Sequence, residues 1–155
     1  GPCYRDKVER KGVRMVDIGV MAGNGDDMVD VHHNAGSFFD VFVDADLGNG
    51  ADRFSAVMVT PPDDSMPGPE GMRTLMFDVI MGRGDDFLGV ENGTDGSFFD
   101  VFVEADLGQG DDTAALIGVM DPCFVPGDGF DSAFVTAEHF RAALAAGFEH
   151  VELIR

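Results

Sequence analysis

Tryptophan is absent from the 155 residues, tyrosine occurs once, and lysine and arginine together number 10 against 29 aspartates and glutamates. The shortage of cations excludes the partners that cations attract. At a net charge of −19 the chain repels phosphate backbones and anionic membrane surfaces, so nucleic acid is not an expected partner. Long apolar runs are missing as well: none approaches the roughly eighteen residues of a membrane helix, and membrane insertion is not expected. No segment has the pattern of a secretion signal. Cysteine is scarce. Cys3 and Cys123 are the only two, one near each end of the repetitive part, and they form either one bridge or two unrelated thiols. The bridge is the expectation for a secreted protein.

What is present argues for a folded protein. Apolar residues make up 45% of the chain and fourteen are phenylalanine, whereas disordered acidic chains lack aromatic and β-branched residues. A chain of this length fits one domain, 1–155, that buries roughly two thirds of its unfolded surface. So many carboxylates oppose a compact state by self-repulsion unless salt, a cationic partner or a divalent metal neutralises them.

The chain repeats itself. Ser37 to Gly50, SFFDVFVDADLGNG, recurs as SFFDVFVEADLGQG from Ser97 to Gly110, differing only at Asp44/Glu104 and Asn49/Gln109. A shorter signature, Gly-x-Gly-x-Asp, occurs at Gly23 to Asp27, Gly48 to Asp52, Gly82 to Asp86 and Gly108 to Asp112. The first and third lie 59 residues apart and the second and fourth 60, which marks a duplicated pair of units. The repeats span 14–59 and 73–119, joined by a proline-rich linker at 60–72.

Apolar residues alternate before each signature: Val16, Ile18 and Val20; Phe39, Val41, Val43, Ala45 and Leu47; Leu75, Phe77, Val79 and Met81; Phe99, Val101, Val103, Ala105 and Leu107. Shorter alternating runs follow it. Period two means strand, so each signature is a corner between strands. The expected fold class is all-β, a duplicated unit forming either a β-solenoid or β-roll-like stack or an antiparallel β-sandwich. A C-terminal cap is expected over 132–155. In it Thr136 starts a short helix, Phe140, Ala143 and Leu144 share one face, Gly147 ends the helix, and Phe148 to Ile154 alternates as a last strand.

Glycine lets the backbone turn with its carbonyls exposed, and an aspartate two residues later adds a carboxylate, so the corners offer hard oxygen ligands. Here the sequence resembles the hemolysin-type calcium-binding repeat, Gly-Gly-x-Gly-x-Asp-x-apolar-x, in which calcium is held between stacked turns. The resemblance implies calcium at Gly23, Gly25 and Asp27; Gly48, Gly50 and Asp52; Gly82, Gly84 and Asp86; and Gly108, Gly110 and Asp112. Asp26, Asp85 and Asp111 double the carboxylates at three corners, and Ala51 breaks that pattern at the second. Two departures exclude a standard roll: the first glycine of the repeat is replaced by Ala22, Leu47, Met81 and Leu107, and the turns recur every 25 to 34 residues. Corners of this composition also turn without any metal.

Two further features bear on function. Asp40, Asp44 and Asp46 share one strand face, as do Asp100, Glu104 and Asp106, and stacked side by side they would repel; the expectation is two solvated faces kept apart. A row of Phe38, Phe42, Phe98 and Phe102 is a candidate surface for carbohydrate or protein. His32 and His33, adjacent on a strand, point to opposite faces and do not chelate together. Arg83-Gly84-Asp85 lies inside the third corner, where its residues already have a turn to make. No nucleophile with a partnering base and no phosphate loop opening a helix is recognisable. The expected function is therefore a non-enzymatic, calcium-stabilised module with a structural, adhesive or surface role outside the cell. The alternative is a metal-independent β-module that binds carbohydrate or a cell-surface protein.

Overall fold

A computed structural model describes residues 15–34, 40–59, 73–93, 99–120 and 122–154. The alternating segments form the strands β1 (Met15–Met21), β2 (Met28–Asn34), β3 (Asp40–Asp46), β4 (Arg53–Val59), β5 (Arg73–Ile80), β6 (Phe87–Asn92), β7 (Phe99–Asp106) and β8 (Thr113–Ile117). Three short ones follow: β9 (Cys123–Val125), β10 (Ser132–Val135) and β11 (His150–Leu153). Successive strands take places in two sheets alternately, one ordered β1-β3-β5-β7-β9 and the other β11-β10-β8-β6-β4-β2. Each corner carries the chain from the first sheet to the second and the next link returns it, so every pair within a sheet runs parallel. One strand of each sheet, joined by its corner, makes a rung.

In-register pairing stacks like positions into columns. Val43 lies beside Phe77 and Phe77 beside Val103; Phe54 lies beside Leu88 and Leu88 beside Ala114. These side chains point between the sheets and are buried. Phe54 of one sheet meets Phe77 of the other edge-to-face, with ring centroids 5.8 Å apart. A one-residue slip of any strand would send its whole apolar set to solvent, so this core fixes the register and thereby the height of every corner.

After β10 the alternation calls for another strand in the first sheet, and the chain forms instead a 3-10 turn, Ala137–His139, and the helix α1 (Phe140–Ala146). The helix lies against β9, β10 and β11. Ala143 is buried, Phe148 meets Phe124 edge-to-face at 5.1 Å, and buried His139 places Nε2 2.9 Å from Val119 O. Gly147, at φ +110, ends the helix as expected. Two details differ from the sequence reading. Thr136 holds the N-cap position without a side-chain cap bond, and Leu144 is 50% exposed while Ala143 is buried and Ala146 packs against the core.

The fold class also needs correction. An antiparallel sandwich is overturned by the parallel register of every strand pair. A β-roll or closed solenoid is overturned as well: the strands form two separate parallel sheets, and a helix takes the place of a sixth strand in the first. The physical reason lies in the long interval between corners. It gives each rung two strands of mostly five to eight residues, long enough to pair as independent parallel sheets with a helix packed on their end.

Candidate functional site: the stacked corners

The four expected corners join β1 to β2, β3 to β4, β5 to β6 and β7 to β8. A fifth, Gly127-Asp128-Gly129-Phe130-Asp131, joins β9 to β10. It carries the same signature but lies beyond the duplicated units and between short strands, so the repeat pattern does not reveal it; the signature alone would have. The residues between the paired glycines form a parallel ladder: Asn24 with Asn49, Asn49 with Arg83, Arg83 with Gln109, and Gln109 with Asp128. Backbone bonds run both ways between rungs. Asn49 N–H donates to Gly23 O at 2.9 Å and Gly25 N–H to Asn49 O at 2.8 Å, and the pattern repeats up the stack.

Stacking this close explains the glycines. Gly84 has φ +131, and a Cβ built on it would collide with Gly50 O. Gly108, at φ +85, would collide with Gly82 O in the same way. Both the backbone conformation and the approach of the rung beneath demand glycine.

The aspartates complete the connection. Through its Oδ1, Asp52 accepts Asp27 N–H at 2.8 Å, Asp86 accepts Asp52 N–H at 2.8 Å, Asp112 accepts Asp86 N–H at 2.8 Å, and Asp131 accepts Asp112 N–H at 2.9 Å. Glu149 Oε2 accepts Asp131 N–H at 2.8 Å and ends the series. Glu149 has no place in the repeat signature, and only the fold brings it to the column. An outer series runs the opposite way: Asp26 accepts Ala51 N–H at 2.9 Å, Asp85 accepts Asp111 N–H at 2.9 Å, and Asp111 accepts Phe130 N–H at 2.8 Å. The inner carboxylates of Asp52, Asp86, Asp112 and Asp131 are buried; the outer ones of Asp26, Asp85 and Asp111 are exposed.

Asp52, Asp86, Asp112 and Asp131 thus each use one oxygen. Their second, Oδ2, is buried without a hydrogen bond, as is Oδ2 of Asp27. Burial, reinforced by the neighbouring Asp52 and Asp85, raises the Asp86 carboxyl to about 6 against the pull of the Asp52 N–H. Burial and the charges of Asp86, Asp131 and Asp85 raise Asp112 to about 7. Asp131 is raised for the same reasons, with Glu149, Asp111 and Asp128 as its charged neighbours.

Calcium asks for about six to eight oxygens at roughly 2.3–2.6 Å. Between these rungs the Gly23, Gly48, Gly82 and Gly108 carbonyls accept hydrogen bonds of 2.9–3.0 Å from the next rung, and the aspartate Oδ1 atoms accept theirs. Among the described residues no three carboxylates, imidazoles or thiols converge where one ion could be held. The corner residues Gly23, Gly25, Asp26, Asp27, Gly48, Gly50, Asp52, Gly82, Gly84, Asp85, Asp86, Gly108, Gly110, Asp111 and Asp112 are brought together as a column. In that column the glycine carbonyls and the inner aspartate Oδ1 atoms are engaged between rungs, and the inner aspartate Oδ2 atoms are not.

The other candidates scatter. Phe42 is 4% exposed and packs with Met76, Phe102 and Cys123 on the outer face of the first sheet, so it offers no open aromatic platform; Phe38 and Phe98 lie outside the described residues. Cys123 is disulfide-bonded, and Cys3, the chain's other cysteine, lies outside the described residues. The two acidic faces belong to one sheet and are bridged by β5, with Asp44 beside Asp78 and Asp78 beside Glu104. They are not kept apart in separate regions. Asp44, Asp46 and Asp78 line an open depression of about 320 Å³ with Gly19, Met21 and Ile80.

No helix among the described residues is long and apolar enough to cross a membrane. Compared with known protein families, curated proteins and solved structures, the chain matches none.

Proposed function

We propose that the chain is a non-enzymatic structural module that acts outside the cell, as a spacer or surface element. The observation that supports this reading is the unbroken inner series from Asp27 to Glu149, in which the carboxylates of Asp52, Asp86, Asp112, Asp131 and Glu149 each hold the N–H of the preceding aspartate. A site built for turnover or for exchangeable ligands leaves its polar groups available. Here one oxygen of each of the Asp52, Asp86, Asp112 and Asp131 carboxylates is taken up in the scaffold, and the conformational cost of fixing five glycine-rich corners is offset by inter-rung bonds and the core beneath them. The exposed carboxylates Asp26, Asp85 and Asp111 keep such a surface hydrated and soluble.

Amide hydrogen exchange tests the reading. The N–H groups of Asp52, Asp86 and Asp112 are expected to exchange as slowly as core amides such as those of Phe77 and Val103, in a single cooperative unit. Corner amides that exchange many-fold faster than the core would mean that the corners open independently, as a binding loop does, and would overturn the structural reading.

A further inference from the structure

The sequence signature and the geometry of the corners disagree about metal, and the disagreement has a specific content. We infer that in this chain Gly-x-Gly-x-Asp is a metal-independent stacking element, in which two oppositely directed series of carboxylate-to-amide bonds replace the ion between successive turns, and that Ala51 is a break in the outer series.

Three observations carry it. First, the backbone bonds flanking Asn49, Arg83, Gln109 and Asp128 close the space between rungs at 2.7–3.0 Å, and at Gly48, Gly50, Gly82, Gly84, Gly108 and Gly110 there is no room even for a methyl group. Second, the inner aspartates take their hydrogen bonds from the preceding rung, whereas the outer aspartates take theirs from the following rung. Where both series run, adjacent rungs are held by two oppositely directed bonds, which is the work a bridging ion does in the repeat this chain resembles. Third, the inner series has its own terminator, because Glu149 supplies the carboxylate that the cap would otherwise lack. The replacement of the first glycine of the calcium repeat by Ala22, Leu47, Met81 and Leu107 fits the same account. Leu47, Met81 and Leu107 are buried in the core, so those positions are anchored by packing.

In the outer series, position 51 corresponds to Asp26, Asp85 and Asp111. As an alanine it offers no side-chain acceptor to Asp85 N–H on the third rung. An asparagine at 51 restores the acceptor without adding to the net charge of −19, and an aspartate restores it with charge.

The experiment is a set of thermal melts of the full chain in excess chelator, in calcium and in magnesium, repeated for A51N and A51D. The chain is expected to be folded in chelator, to respond alike to calcium and magnesium as a charge-screening effect, and to gain about two to four degrees in Tm from A51N. A chain unfolded in chelator and folded only by calcium would overturn the inference while leaving the structural role standing, since that role is judged by amide exchange. An A51N variant melting at or below the parent, with its circular dichroism unchanged, would overturn the proposed break at Ala51.

Discussion

Asp112 reaches one rung back to accept the Asp86 N–H at 2.8 Å, while its other carboxylate oxygen is buried with no hydrogen bond. The same side chain is thus required as an acceptor and unfavourable as an anion. This tension sets the first expectation. D112N keeps the amide acceptor and removes the charge; it is expected to be as stable as the parent below about pH 4 and more stable at pH 8. D112A leaves the Asp86 N–H buried without a partner and is expected to be less stable than D112N by about 1–3 kcal/mol at acid and alkaline pH alike, measured by denaturant melts.

The sign of the pH dependence follows from the same groups. Unfolded, Asp86 and Asp112 titrate near 3.8; folded, they stand at about 6 and about 7. Below about pH 4 both states hold the protons and the stabilisation is fully present. As pH rises, the native state keeps protons that the unfolded state has released, so stability falls, and the loss is complete above about pH 7. Melts from pH 4 to 8 are expected to show a decline on the order of a few kcal/mol. A rise over that interval would contradict the buried-carboxyl account.

Glycine substitutions separate backbone conformation from stacking. Gly25 and Gly84 have nearly the same φ, +134 and +131, but a Cβ on Gly25 meets nothing within 4 Å whereas one on Gly84 runs into Gly50 O. G25A is expected to cost about 1–2 kcal/mol, for the left-handed conformation alone. G84A is expected to cost at least about 2 kcal/mol more, because the rungs must separate. Equal costs would mean that the rungs are not packed as closely as the carbonyl contacts require.

Phe42 distinguishes packing from ligand binding on the outer face. Buried beside Met76, it is expected to lower stability by roughly 3 kcal/mol when replaced by alanine. An F42A variant with unchanged Tm but a lost carbohydrate or protein interaction would restore the recognition surface that the sequence suggested.

Much of this architecture is legible in the sequence because one rule governs it. Val41, Val43, Ala45 and Leu47, or Leu75, Phe77, Val79 and Met81, alternate in sequence and are buried together in the structure, since period two places every second side chain on one face. The glycine pairs announce corners for the same local reason. What is not legible is pairing. Alternation says nothing about whether the neighbour of β3 runs parallel or antiparallel, and in the structure that neighbour is β5, 34 residues on along the paired positions. The corner chemistry shares this limit. A glycine and an aspartate at fixed spacing supply oxygens to an ion or to an amide equally well, and only the stacking distance decides between them. Glu149 reaches the column through a helix and a turn, so no local pattern could have placed it there.

The most direct test of the stacked corners is a carboxyl-carbon NMR titration of Asp86 and Asp112 that follows the Asp86 amide proton at the same time. The account predicts midpoints of about 6 and about 7, with the Asp86 N–H shifting in step with Asp112, because the two are joined by a hydrogen bond. Midpoints near 4 for both carboxyls, and an Asp86 amide that ignores Asp112, would contradict it.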